Sequence, residues 1–181
     1  MDKINVYEYS GIVCPGVVFL LGLGWLFPDH IDLDLVKEVT IGAFALFVIV
    51  SFCAGNLVQA VANILEDVFW SPHKYTKKVF KEKNITVSPK EVYALINTKG
   101  NINRVDVFNK QYGFMRGLFV GFLVLACISA VLCNWTSCSS FVFLAVLSGY
   151  RAFRFASYYT AELITQWNVI KINANEKEGT L

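Results

Sequence analysis

Hydrophobic positions are not spread along this chain but gathered into uncharged runs. No Asp, Glu, Lys or Arg occurs from Tyr9 to Pro28, from Val39 to Leu65, or from Gly117 to Tyr150. The last run is long enough for two membrane-crossing helices with a turn between them. This pattern predicts an all-α polytopic membrane protein with spans at about 12–27, 39–60, 114–132 and 141–160. The second run would make about 40 Å of helix at 1.5 Å per residue, more than a hydrocarbon core of about 30 Å. The second span is therefore expected to project beyond the bilayer, as is the fourth.

The projecting end of the second span carries polar side chains at helical spacing. At about 100° per residue, Asn56, Gln59, Asn63 and Glu66 share roughly a third of the circumference, with Asp67 and Trp70 at its edges. Hydrocarbon offers such groups no hydrogen-bond partner, so the stripe must meet other helices, water or a partner protein. Arg151, Arg154, Tyr158 and Glu162 form a second stripe on the fourth helix. The expected contact between the two is a pair of Arg151 or Arg154 with Glu66 or Asp67, within the chain or across a subunit boundary.

Domain organisation follows from the same pattern. Residues 1–65 form an N-terminal membrane hairpin, 66–112 a basic region that is small and helical, 113–168 a C-terminal membrane hairpin, and 169–181 a frayed tail. The stretch before Ser10 is expected to lie at the interface, with Tyr7 and Tyr9 as anchors. Pro15 and Gly16 fall in the expected first turns of span one, where proline costs little. Ser88-Pro-Lys-Glu91 is a capping box with Pro at the first helical position and predicts a helix from Pro89 to about Asn97. So polar a region is expected to pack on the helix extensions rather than fold alone. Gly113, Gly117 and Gly121, at four-residue spacing, predict close helix approach in span three.

Composition agrees: 55% hydrophobic, 15% aromatic and 17% charged is outside the soluble norm. Ten of the sixteen Lys and Arg lie between 66 and 116, while the first connection carries Asp29, Asp32 and Asp34. The positive-inside rule then puts both termini and the basic region in the cytoplasm. The first run, with a leader that is not basic and no small-x-small cleavage pattern, is expected to be retained. Lys74, Lys77, Lys78, Lys81 and Lys83 suit anionic headgroups; without an aromatic stacking platform, direct nucleic-acid binding is not expected.

Candidate chemistry is sparse. His30 and His73 are the only histidines and fall on opposite sides of the membrane in this topology. No nucleophile-and-base set, zinc-helix motif or phosphate-binding loop is present, so catalysis, metal and cofactor are not expected. Cys133 and Cys138 flank the outer turn and could form a disulfide or remain thiols. Asn134-Trp-Thr matches a glycosylation sequon but lies too near the membrane to serve. The polar stripes admit interhelical hydrogen bonding, a pore lining in an oligomer, or docking of a cytosolic partner.

Tyr7-Glu-Tyr-Ser-Gly11, Pro15-Gly16, Gly55-Asn-Leu-Val-Gln59 and Glu66 closing the second span resemble small bacterial inner-membrane proteins of anti-phage defence, most nearly the four-span membrane component of the Kiwa system. The resemblance covers the two N-terminal spans and the layout. It implies a homo-oligomeric component of the bacterial inner membrane that senses phage-induced disturbance or acts on the bilayer, working with a cytosolic protein; it carries no catalytic residues. The alternatives are an ion channel gated by its cytoplasmic region, and a membrane subunit of an enzyme whose active site is supplied in trans.

Overall fold

A computed structural model of the chain describes residues 6–29, 40–69, 72–99 and 101–178. Among them are six helices and no strand: α1 Val6–Leu26, α2 Ile41–Phe69, α3 Pro72–Glu82, α4 Pro89–Lys99, α5 Ile102–Val131 and α6 Trp135–Glu178. The first connection from His30 to Glu38, the side chains of Tyr7, Tyr9 and His73, and all of Trp70 and Gly100 lie outside the described residues.

Helices α1, α2 and α5 pack as one bundle, and α6 lies along α5 as the second arm of a long hairpin. Small residues make this possible. A Cβ on Gly16 would collide with the Ser51 carbonyl, and one on Gly55 with the Ile12 carbonyl, so the α1 and α2 backbones touch. Gly117 faces Gln59 and Pro15; Gly121 lies near Val58 and Phe19; Gly113 has open space before it. Two of the three glycines of the α5 repeat are thus at helix contacts. On α6 the buried row is Ala145, Ser148, Gly149, Ala152, Ala156 and Thr160.

The large apolar side chains point the other way. Ile41, Phe44, Ile49, Leu57 and Ile64 of α2 are exposed, as are Val142, Phe143, Val146 and Phe153 of α6. A soluble protein would bury such residues; a bilayer-facing helix presents them. Two helical segments, Ile41–Asp67 and Ile102–Val131, are long and apolar enough to cross a membrane, and only 22% and 33% of their most apolar stretches are buried. Gly11–Leu26 is a shorter apolar helix.

Tight Schellman closures set the connections. Cys133, at φ 56°, gives its N–H to Ala130 O, and Asn134 gives its N–H to Ser129 O. The Asn134 side chain then accepts the Ser137 N–H at 3.1 Å, so the sequon asparagine ends α5 and caps α6. Cys133 and Cys138 are free thiols, not a disulfide, Cys133 being taken up in the left-handed closing position. Asn84, at φ 54°, closes α3 in the same way, with Ile85 N–H on Phe80 O.

Beyond the bundle, α3 and α4 pack on the far end of α6, and α4 also on the start of α5. Phe80, Val92, Ile96, Val105 and Leu163 form a second core, flanked by Ile85, Tyr93, Tyr159 and Trp167. The capping box is made: Glu91 accepts the Ser88 N–H at 3.0 Å, and Ser88 Oγ accepts the Glu91 N–H at 3.3 Å.

Three helical limits differ from the sequence expectation. Helix α5 begins at Ile102 rather than near 114, because Asn101 caps it by accepting the Asn103 N–H. Helix α6 continues to Glu178 where a frayed tail was expected from residue 169; Leu163, Ile164 and Trp167 just before that point and Ile170 just after it belong to the second core or pack on it. Helix α1 starts at Val6, which places Pro15 inside the helix and not in its first turns.

Candidate functional site

The interior proline is where the polar site begins. Pro15 has no N–H, so the Gly11 carbonyl one turn earlier loses its helical donor. Gln59 Nε2 on α2 donates to that carbonyl at 3.3 Å and to the Gly113 carbonyl of α5 at 3.0 Å. Its Oε1 accepts from Arg116 Nη2 at 3.1 Å. One side chain thus bridges α1, α2 and α5. It fits because Gly117 has no Cβ; one placed there would stand 2.6 Å from Gln59 Nε2.

Arg116 carries the connection onward. Its Nη1 donates to Glu66 Oε2, the two side chains being 21% and 14% exposed. Its guanidinium also lies 5.6 Å from the centre of the Tyr112 ring. Arg116 Nε is shielded from solvent and has no hydrogen-bond partner among the described residues.

The expected polar stripe therefore divides. Gln59 and Glu66, seven residues apart, turn inward to α5. Asn56 and Asn63, also seven apart, are exposed; Asn56 Nδ2 bonds back to Phe52 O at 2.9 Å on its own helix. Asp67 is exposed.

The second stripe does not meet the first within the chain. Arg154 donates to Tyr158 one turn along α6, Arg151 stacks over Phe155 at 5.7 Å, and Glu162 accepts from Gln166 at 2.9 Å. Glu66 has Arg116 as its partner, not Arg151 or Arg154. The reason is geometric. Both α2 and α6 are held against α5 and scarcely touch each other, so an α5 side chain reaches Glu66 first. In the sequence, Arg116 is one of the ten basic residues between 66 and 116 and lies on neither polar stripe. A signal was available: Arg116 and Glu66 each stand at the end of an uncharged apolar run.

Between α2 and α6, over α5, runs a cleft in two parts. An apolar cavity of about 460 Å³ is lined by Ala62, Leu65, Phe119, Leu123 and Ala152. A more polar one of about 400 Å³ includes Thr76, Asn109 and Tyr159. Glu66, Tyr112 and Arg116 line both. The Thr76 and Thr160 hydroxyls, 3.0 Å apart, tie α3 to α6 beside this cleft.

The lysines expected to form the basic patch, Lys74, Lys77, Lys78, Lys81 and Lys83, are all exposed on and just after α3. Lys78 makes an i,i+4 pair with Glu82 at 4.0 Å. Lys77 and Lys81 border a shallow groove of about 390 Å³ with Phe80, Ile85 and Val87. Among the described residues, no three His, Cys, Asp or Glu side chains come together as a metal site would need.

Comparison of the chain with family models, with curated proteins and with solved structures returns no match.

Proposed function

We propose that this chain is a non-enzymatic, four-span scaffold or sensor of the bacterial inner membrane, oligomeric in its working form, whose cytoplasmic cap of α3, α4 and the inner ends of α5 and α6 engages a soluble partner. The observation that carries the reading is that two helices serve both the bundle and the cap. Helix α5 contributes Val120 to the bundle core and Val105 to the cap core, while α6 contributes Leu163 to the cap core and keeps Ala152 buried on the wall of the cleft beside the bundle. A cap built on the ends of bundle helices is held in register with them, as a device that reports membrane state must be.

Topology is supported by the distribution of interfacial residues. Trp25 and Trp135 are exposed at the end of the bundle that holds the α5–α6 turn. Tyr150, Arg151, Phe153, Arg154 and the α3 lysines are exposed at the other. From Trp135 to Phe153 is about 27 Å of helix, close to a hydrocarbon thickness. The association with anti-phage defence rests on the resemblance of the two N-terminal spans alone.

A variant keeping Cys133 as its sole cysteine should react with an impermeant thiol reagent in cells with a permeabilised outer membrane. One carrying only Asn84→Cys should react after lysis alone; the reverse pattern sinks the orientation. Purification in detergent with the neighbouring gene product, followed by mass measurement, should give a stoichiometric complex. A second reading, an oligomeric pore, draws on the exposure of Asn56 and Asn63 on an uncharged helix. A purified oligomer that conducts ions unaided would favour it.

A further inference from the structure

The geometry points to a phospholipid site in the cleft between α2, α5 and α6: one acyl chain lies in the apolar cavity, and a zwitterionic headgroup spans Arg116 and Glu66. The inference rests on the membrane-spanning reading and goes beyond it.

Three features select this occupant. The walls are apolar at Leu65, Phe119, Leu123 and Ala152, and the flanking positions Ile64 on α2 and Phe153 on α6 are exposed large hydrophobics. The cleft therefore opens among side chains that face hydrocarbon in this topology, where an acyl chain is the solvent at hand. The cavity, at about 460 Å³, is within the size range of ligand sites. At its inner end stand the Arg116 guanidinium and the Glu66 carboxylate, which border both the apolar and the polar half of the cleft.

The charge balance narrows the headgroup. Arg116 is already neutralised by Glu66, so a purely anionic head gains one attraction and meets one repulsion. A head carrying both a phosphate and an ammonium matches both members of the pair: a phosphate oxygen accepts from the Arg116 guanidinium, and the ammonium donates to Glu66. Thr76, Asn109 and Tyr159 offer polar groups to the remaining head atoms. The level agrees, since Ala152 and Ala156, which line the cleft with Glu66 and Arg116, stand within a turn of the exposed Tyr150, Arg151 and Arg154 on α6.

The test is native mass spectrometry of the full-length protein, delipidated in detergent and offered phosphatidylethanolamine, phosphatidylglycerol or a free fatty acid. One phosphatidylethanolamine per chain should be retained, at least about ten-fold more than either of the others. Leu123→Trp, at a partly exposed position, fills the apolar cavity and should abolish retention; Val146→Trp, exposed on the outer face of α6, should not. Arg116→Lys should keep the pair with Glu66 while weakening retention, since an ammonium engaged with Glu66 has fewer donors left for a phosphate than a guanidinium. Equal retention of the three lipids, or retention unchanged in Leu123→Trp, overturns the site. Should Leu123→Trp fail to fold, Phe119→Trp, on the same wall, is the replacement. Release of the protein from membranes by alkaline carbonate would overturn the membrane reading itself. Firm membrane retention with no bound lipid would overturn the cleft alone.

Discussion

Gln59 of α2 fills the hydrogen-bonding vacancy that Pro15 creates at the Gly11 carbonyl of α1. The defect and its remedy lie on different helices, and the remedy also binds Gly113 and Arg116 of α5. Losing Gln59 therefore costs more than one polar contact. Gln59→Leu should lower stability by roughly 1–2 kcal/mol, read as thermal unfolding in detergent. Pro15→Ala restores the missing N–H, so the double variant should lose less than the sum of the two single losses. Additive losses would show that the Gly11 carbonyl is not the coupling point.

Breaking the Glu66–Arg116 pair leaves a largely shielded charge without its counterion. Glu66→Gln and Arg116→Met should each destabilise by about 2–3 kcal/mol. Charge reversal at the exposed Arg154 should leave the melting temperature of the monomer essentially unchanged. A large loss at Arg154 in a protein held monomeric would contradict the placement of these side chains.

Glycines at the α1–α2 contact and glycines elsewhere should separate cleanly. Gly16→Ala and Gly55→Ala each drive a methyl into a carbonyl of the facing helix and should cost upwards of about 2 kcal/mol, visible as poor recovery from membranes. Gly42→Ala and Gly113→Ala enter open space and should be neutral, or stabilising by about 0.5–1 kcal/mol.

In the cap, Tyr93 donates its hydroxyl to Asp106 at 2.8 Å. Burial first, and then this hydrogen bond, push its phenol from the usual 10 up to about 12. The folded cap thus holds the proton more tightly than the unfolded chain does. That stabilisation is complete below about pH 10 and fades as the pH climbs from 10 to 12. Thermal melts of the full-length protein should fall more steeply over that interval than those of Tyr93→Phe. At neutral pH the variant should be less stable by about 1 kcal/mol, since Asp106 loses a donor.

Features set by neighbouring residues were legible in the chain. The Ser88 capping box, the uncharged helices and the close-packing glycines follow from spacing alone. What was not legible depended on which way a helix turns. Asn56 and Gln59 have similar chemistry and share one stripe, yet only Gln59 turns toward α5, and nothing local distinguishes them. The partner of Glu66 was missed for a related reason. Arg151 and Arg154 look suited to it by depth, but α5 stands between the two helices and presents Arg116 first. The extent of α6 was obscured because its inner half is polar on the outside and draws its apolar contacts from α3 and α4, elements distant in sequence.

The continuity of α6 has a mechanical consequence. Its 44 residues span about 66 Å, so a tilt of about 5° at the α5–α6 turn displaces the far tip by several ångströms. Bilayer thinning or lateral pressure too slight to rearrange the Gly-packed bundle would be magnified by this leverage into a stroke comparable to one helical turn. In the proposed sensor, no separate hinge would be needed to carry a change in the surrounding bilayer to the cap.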